Sequence, residues 1–119
     1  MASKIKESST NHQNQGVLSQ ACEVNDLLKK ISPRWKMMIL YDISEGYSQF
    51  SKLKTKLSGI SDQMLGKRLR DLETDGCISR SLDPTTVPAQ VHYEVTSKGR
   101  SLLELMVQLH HWGLVWGKP

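Results

Sequence analysis

The chain has 119 residues, with 16 Lys and Arg against 12 Asp and Glu, so its net charge is +4. This length predicts one domain, because domains usually contain roughly 100–150 residues. No stretch of about 18 uncharged apolar residues occurs, so we expect no membrane span. The first twenty residues are polar and lack the apolar core of a secretory signal, which predicts a cytoplasmic protein.

The cysteines and histidines show no pattern typical of a metal site or a catalytic centre. Cys22 and Cys77 are too few for a disulfide scaffold, and their separation does not match the paired spacing of zinc ligands. The four histidines form no HExxH motif, and the chain has no glycine-rich phosphate loop and no Ser/His/Asp arrangement. We therefore predict no cofactor, no metal and no enzymatic activity.

The amino-terminal part of the chain changes character near Cys22. Residues 1–21 are polar and aperiodic, which predicts a disordered arm, and residues 22–119 are predicted to form the ordered domain. Val24, Leu27, Leu28 and Ile31 recur at helical spacing and predict a short first helix.

A second helix is predicted from about Pro33 to Ser44. Ser32 is expected to cap it, with Pro33 at the first helical position. Its residues are apolar nearly all round, so we expect it to be the central buried helix.

Two further helices are predicted close together. Phe50, Leu53 and Leu57 indicate a short third helix, and Ser58-Gly59 forms a turn. Ser61 or Asp62 can cap a fourth helix that ends near Thr74. Its buried stripe is predicted to be Leu65, Leu69 and Leu72, and its outward stripe Gln63, Lys67 and Arg70.

The remaining chain predicts a hairpin and a long helix. Cys77–Leu82 and Gln90–Val95 resemble strands, the second with clear alternation, and a proline-containing loop joins them. Cys77 is expected in the core. Thr96 then caps a helix of about twenty residues. The fold class is therefore mainly α with a small β-hairpin (α+β).

A short helix, a tight turn and a second helix with a basic outer face are the parts of a helix–turn–helix. A lysine-bearing helix face by itself is usually a solvated surface. The combination with a following hairpin favours double-stranded DNA as the partner, with residues 83–90 as a wing on the phosphates. The basic residues cluster in this part of the chain: Lys52, Lys54, Lys56, Lys67, Arg68 and Arg70.

Several segments resemble the HxlR-type winged-helix regulators, which are related to the MarR-like proteins. They are Cys22-Glu23-Val24, Arg34-Trp35-Lys36-Met37-Met38-Ile39-Leu40, Phe50-Ser51-Lys52-Leu53, Gly59-Ile60-Ser61-Asp62-Gln63-Met64-Leu65, Leu69-Arg70-Asp71-Leu72-Glu73-Thr74-Asp75-Gly76 and Val91-His92-Tyr93-Glu94-Val95-Thr96. The resemblance implies a dimeric bacterial or archaeal transcription factor with residues 61–74 as the recognition helix. Three positions depart from the family pattern: Ser32-Pro33-Arg34 replaces Gly-Gly-Lys, Gln90 replaces Arg or Lys, and His92 replaces Glu.

The first two turns of the recognition helix supply the candidate contacts to base edges, because Gln reads adenine and Lys reads guanine most readily. The candidates for base contacts are Ser61, Gln63, Met64 and Lys67. The candidates for phosphate contacts are Arg68, Arg70, Lys52 and Lys54 on the helices and Thr85, Thr86 and Gln90 on the wing.

The last helix carries a stripe with coiled-coil-like spacing, formed by Leu102, Leu105, Leu109, Trp112 and Trp116. Apolar residues also cover much of its remaining surface. One small domain buries one face of a terminal helix, so the sequence predicts a homodimer seam. The alternative is a helix wholly enclosed in its own core.

Cys22 precedes the first helix, where a thiol can have a depressed pKa. Some members of the resembled family sense oxidants or electrophiles with a cysteine at this place, so Cys22 is a candidate redox sensor. The neighbouring Glu23 opposes this, and the alternative is a small residue without a signalling role. The alternative for the whole protein is a winged-helix protein–protein adaptor without a DNA target. The sequence does not identify a small-molecule effector.

Overall fold

The computed structural model describes residues 23–117, which fall into two units divided after Pro33. In the first unit, residues 23–31 form a helix, α1, and the Ser32 amide donates a hydrogen bond to the Leu28 carbonyl at 2.9 Å. The predicted arm, residues 1–21, and Cys22 lie outside the described residues.

The second unit contains four more helices and a hairpin. Its elements are α2 (Lys36–Ser44), α3 (Phe50–Lys56), α4 (Asp62–Thr74), β1 (Ile78–Asp83), β2 (Gln90–Val95) and α5 (Ser97–Trp116). The two strands are antiparallel, with Ile78 opposite Val95 and Asp83 opposite Gln90. The predicted mainly α fold with a small β-hairpin is confirmed.

The core lies where α2, α3 and α4 meet the start of the hairpin. The leucine stripe predicted for α4 is buried, and so is Cys77, as expected. The full cluster consists of Ile39, Leu40, Ile43, Leu53, Leu57, Ile60, Leu65, Leu69, Leu72, Cys77 and Ile78. This packing fixes α4 through one face and leaves the other face outside.

The helix α2 contributes Ile39, Leu40 and Ile43 to the buried core, as expected, but it begins later than predicted and one side of it is exposed. The helix begins at Lys36, not Pro33, because Trp35 has a φ of 78°, a left-handed conformation that interrupts the helical path. Met38 and Tyr41 are about half exposed, so α2 is not buried on all sides.

Two ion pairs connect α2 to the helices that follow it. The Lys36 ammonium is buried and lies 2.6 Å from a carboxylate oxygen of Asp75, just after α4. Asp42 is 2 % exposed and pairs with Lys56 of α3 at 3.3 Å. These contacts hold α3 and α4 in a defined position on α2.

The start of α5 is fixed against the hairpin. The Thr96 hydroxyl caps the helix by accepting a hydrogen bond from the Gly99 amide at 3.1 Å, and it donates to the Gly76 carbonyl at 2.6 Å. A Cβ atom on Gly99 would lie 2.2 Å from the Cys77 carbonyl oxygen. The first turn of α5 therefore lies directly on the start of β1.

The rest of α5 extends away from the core with its apolar side chains exposed. Leu102 is half buried against the core, whereas Leu105, Leu109, Trp112 and Trp116 are exposed by 56–69 %. The alternative of a helix enclosed in its own core is therefore wrong. None of the helices between residues 23 and 117 is long and apolar enough to cross a lipid bilayer.

Candidate nucleic-acid interface

The exposed face of α4 is defined by its cap and by its leucine stripe. The Ser61 hydroxyl oxygen accepts a hydrogen bond from the Met64 amide at 3.1 Å, so the helix begins at Asp62. Because the leucines point into the core, Gln63, Lys67 and Arg70 lie on the outer face and are exposed. A row of one amide and two cations is thus presented to solvent on a rigid helix.

Lys67 and Arg70 remain available for a ligand. The Lys67 ammonium is 58 % exposed and lies 3.5 Å from a carboxylate oxygen of Asp71, which is a long ion pair. The Arg70 guanidinium lies back over Gly66, with Nη1 3.3 Å from the position of a Cβ at that residue. Gly66 therefore leaves space for this arginine.

Two predicted DNA contacts, Arg68 and Met64, are held against the protein instead. Arg68 Nε donates to the Arg34 carbonyl at 2.9 Å, and its Nη1 lies 3.3 Å from Asp71. Only 12 % of the Arg68 side chain is exposed. Met64 is half buried and packs on the core. These contacts favour a role for Arg68 and Met64 in fixing α4 against the rest of the protein.

The lysines of α3 also differ from one another. Lys54 donates a hydrogen bond to the Ile60 carbonyl in the turn before α4 and lies 3.4 Å from Asp62. Lys56 pairs with the buried Asp42 and lies over the Tyr47 ring at 5.3 Å. Lys52 is exposed and forms no ion pair with any residue from 23 to 117. Of the two lysines that the sequence proposed for phosphate contact, Lys52 is the more available.

The wing loop uses its hydroxyl groups internally. Asp83 accepts hydrogen bonds from the Thr85 amide at 2.9 Å and from the Thr85 hydroxyl at 2.6 Å. These bonds lower the pKa of the Asp83 carboxyl below its ordinary value. The Thr86 hydroxyl donates to the Asp83 carbonyl at 3.2 Å and accepts from the Gln90 amide at 2.9 Å. Thr85 therefore binds the Asp83 carboxylate, and Thr86 links the backbone across the loop.

Gln90 connects the wing to the start of α3. Its side-chain oxygen accepts a hydrogen bond from Gln49 Nε2 at 3.0 Å, and His92 Nε2 lies 3.5 Å from the same nitrogen. Near the tip of the loop, Val87 is 98 % exposed. The wing thus presents an apolar tip and one negative charge.

Arg80 is an exposed cation of this region that the sequence patterns did not single out. It lies in β1 directly opposite Tyr93 of β2, whose amide donates to the Ser48 carbonyl at 2.8 Å. Burial raises the pKa of Tyr93, the charges of Arg80 and Arg70 oppose that shift, and Glu73 adds to it. The strand pairing across the hairpin is the signal that could have drawn attention to Arg80.

Within residues 23–117, no three His, Cys, Asp or Glu side chains lie close enough together to hold a metal ion. Cys77 is buried, and this burial raises the pKa of its thiol.

Comparisons of the sequence and of the structure with known proteins agree with one another. A sequence model of the HxlR-like helix-turn-helix family matches residues 30–119. The HTH-type transcriptional regulator YtfH of Escherichia coli K12 is 34 % identical over 96 residues, which are 81 % of this chain and 75 % of YtfH. A crystal structure assigned to the MarR family, from Enterococcus faecalis V583, is 29 % identical with a TM-score of 0.74, covering 82 % of this chain and 87 % of that one. The oxidised redox regulator HypR is 32 % identical with a TM-score of 0.69, covering 79 % and 96 %.

Proposed function

Because this chain belongs to the HxlR-like helix-turn-helix family, we propose that it is a transcriptional regulator that places α4 in the major groove of double-stranded DNA. Its relative YtfH is an HTH-type transcriptional regulator. The observation that carries the proposal is the exposed row of Gln63, Lys67 and Arg70 on a helix anchored by its opposite face. A DNA target is also consistent with the cytoplasmic location that the sequence predicts for this protein.

The three residues of this row would have different tasks. A glutamine can form two hydrogen bonds with adenine, and a lysine can donate to guanine, so Gln63 and Lys67 would read sequence. Arg70 lies one turn further along α4 and would contact the phosphate backbone. The Ser61 hydroxyl could still donate its one proton, although a lone pair of its oxygen already accepts from the Met64 amide.

A duplex selected from a random pool by the purified protein supplies the probe for a test by fluorescence anisotropy. Replacing Lys67 and Arg70 with Ala should weaken binding at least tenfold, and the affinity of the parent should fall steeply with salt. Arg100→Ala is the matched control, because Arg100 is exposed on α5 and forms no ion pair with a described residue. If the pool yields no retained duplex, or if the double variant binds as the parent does, the DNA function is refuted. The adaptor alternative would then be favoured.

A homodimer formed through α5 would complete the regulator. Leu102 and Trp116 lie seven residues on either side of Leu109, and Leu105 and Trp112 flank it at four and three. In an antiparallel pair of helices crossing at Leu109, each tryptophan would therefore face a leucine of the other copy. A two-fold axis there would also present two copies of α4 to successive major grooves, about 34–36 Å apart.

Thiol sensing through Cys22 is the proposed regulation. HypR, which is 32 % identical to this chain, is a redox regulator. Cys22 itself lies outside the described residues. Cys77 is a poor candidate for the reactive thiol, because burial raises its pKa and disfavours the thiolate. Diamide should change DNA affinity in the parent and in Cys77→Ser but not in Cys22→Ser. If diamide changes the DNA affinity of Cys22→Ser as much as that of the parent, Cys22 is not the sensor.

A further inference from the structure

We propose that Arg68 is a positioning residue that sharpens the sequence specificity of α4 without contacting DNA. It holds the carboxylate of Asp71, and this keeps the ammonium of Lys67 available to read a base. The inference rests on the proposed DNA-binding function, and it gives one cation of the recognition helix a role other than contact with the duplex.

One carboxylate oxygen of Asp71 lies between two cations of α4. This atom, Oδ2, is 3.3 Å from Arg68 Nη1 and 3.5 Å from the Lys67 ammonium. Charge-assisted hydrogen bonds from nitrogen to a carboxylate are usually about 2.7–2.9 Å long, so Lys67 is held loosely. The Lys67 side chain is 58 % exposed, whereas only 12 % of the Arg68 side chain is exposed. Asp71 therefore faces one fixed cation on the protein side and one cation that is open to solvent.

Arg68 is fixed by a second bond, to a part of the chain that is distant from α4 in sequence. Its Nε donates to the Arg34 carbonyl at 2.9 Å. That carbonyl is itself held in place, because Lys36, two residues later, is buried and its ammonium lies 2.6 Å from Asp75 just after α4. The planar fork of a guanidinium can bind a carbonyl and a carboxylate at the same time, which a lysine ammonium does less well.

Removal of the guanidinium would change the surroundings of Lys67. The negative charge of Asp71 would then have Lys67 as its one cationic neighbour among the described contacts of this carboxylate. A lysine and a carboxylate four residues apart on a helix attract one another, and a lysine held in such a pair must leave it before it can contact a base. Arg68 prevents this competition, so its effect on specificity acts through Lys67.

The test measures the ratio of two affinities, that for the selected duplex and that for random duplexes of the same length, by fluorescence anisotropy. Arg68→Met should lower this ratio by about two- to fivefold, the range of an exposed ion pair. Adding Asp71→Asn to Arg68→Met should restore the parent's ratio, because the carboxylate that captures Lys67 is gone. This double variant has the parent's net charge, so a general attraction to DNA does not explain the recovery.

Two further variants complete the comparison. Arg100→Met is the matched control and should keep the parent's ratio, because Arg100 is exposed on α5 and forms no ion pair with a described residue. Arg68→Lys keeps the charge and part of the bonding, so it should lower the ratio by a smaller factor than Arg68→Met. Circular dichroism melts verify that each variant is folded at the temperature of the binding measurement.

A direct phosphate contact by Arg68 would give a different pattern. Arg68→Met would then weaken binding to both duplexes by the same factor and lower the slope of log K against log salt by about 0.9, which overturns the inference. A reduced ratio that Asp71→Asn does not restore also overturns it. In a Lys67→Ala protein, Arg68→Met should have no further effect on the ratio, because the two residues act together.

Failure of this inference and failure of the DNA function are distinguishable. If Lys67→Ala weakens binding while Arg68→Met keeps the parent's ratio, the DNA function stands and the role of Arg68 is refuted. If the parent retains no duplex, both are refuted.

Discussion

At Gly99, the first turn of α5 lies so close to β1 that a methyl group has no space. A Cβ there would lie 2.2 Å from the Cys77 carbonyl oxygen and 2.8 Å from a methyl carbon of Val95. We expect Gly99→Ala to lower the free energy of unfolding by about 1–3 kcal/mol, because the helix must shift away from the hairpin. Urea denaturation followed by circular dichroism measures this loss.

Gly113 is the matched control in the same helix, because in this single chain nothing lies within 4 Å of the position that a Cβ atom would take there. Gly113→Ala should raise the free energy of unfolding by about 0.5–1 kcal/mol through helix propensity alone. Equal effects of the two substitutions would contradict the close contact between α5 and β1.

The first turn of the helix α4 depends on Ser61. The hydroxyl caps the Met64 amide, and the same residue stands at the end of α4 that would enter the groove. We expect Ser61→Ala to cost about 1 kcal/mol of stability, whereas Ser61→Asp should keep the cap and remain as stable as the parent. Thermal unfolding of the two variants checks this order.

The same pair of variants separates capping from DNA contact. Ser61→Asp introduces a negative charge near the proposed phosphates, so its DNA affinity should fall although its fold is intact. An aspartate variant that binds DNA as well as the parent would place Ser61 away from the duplex.

For the whole molecule, the exposed half of α5 is the feature that a single chain leaves unexplained. Clustered apolar side chains on this scale mark an interaction surface. We expect Leu109→Glu to give a folded monomer, because Leu109 is 61 % exposed in the single chain and would be desolvated only in the dimer. Analytical ultracentrifugation of parent and variant measures the change in mass.

Leu82→Glu is the matched control, since Leu82 of β1 has the same 61 % exposure. It should leave the oligomeric state as in the parent. A dimeric Leu109→Glu protein would exclude Leu109 from the seam, and a monomeric parent would refute the homodimer.

Periodic patterns predicted most of the elements. The spacing of Leu65, Leu69 and Leu72 predicted both the buried stripe of α4 and its exposed row, and alternation along residues 90–95 predicted β2 with its correct bounds. The start of α2 could not be predicted, because the left-handed conformation of Trp35 overrides the local preference for a cap at Ser32 followed by Pro33.

The candidate site was predicted less completely than the fold. A basic side chain can contact a ligand only if its own protein leaves it unpaired, and no local pattern reveals this for Arg68, which is bound to the Arg34 carbonyl thirty-four residues away. The hydroxyls of Thr85 and Thr86 are occupied in the same way within the loop.

The order of helices, the hairpin and the outward face of α4 follow from the amino-acid sequence alone, because periodicity and capping act over a few neighbouring residues. Tertiary structure decided which charges are free: it bound Lys54 and Arg68 to backbone carbonyls and left Lys67 and Arg70 exposed. The physical reason is that hydrogen bonds and ion pairs between distant residues depend on the packed positions of whole elements, which local preferences do not encode.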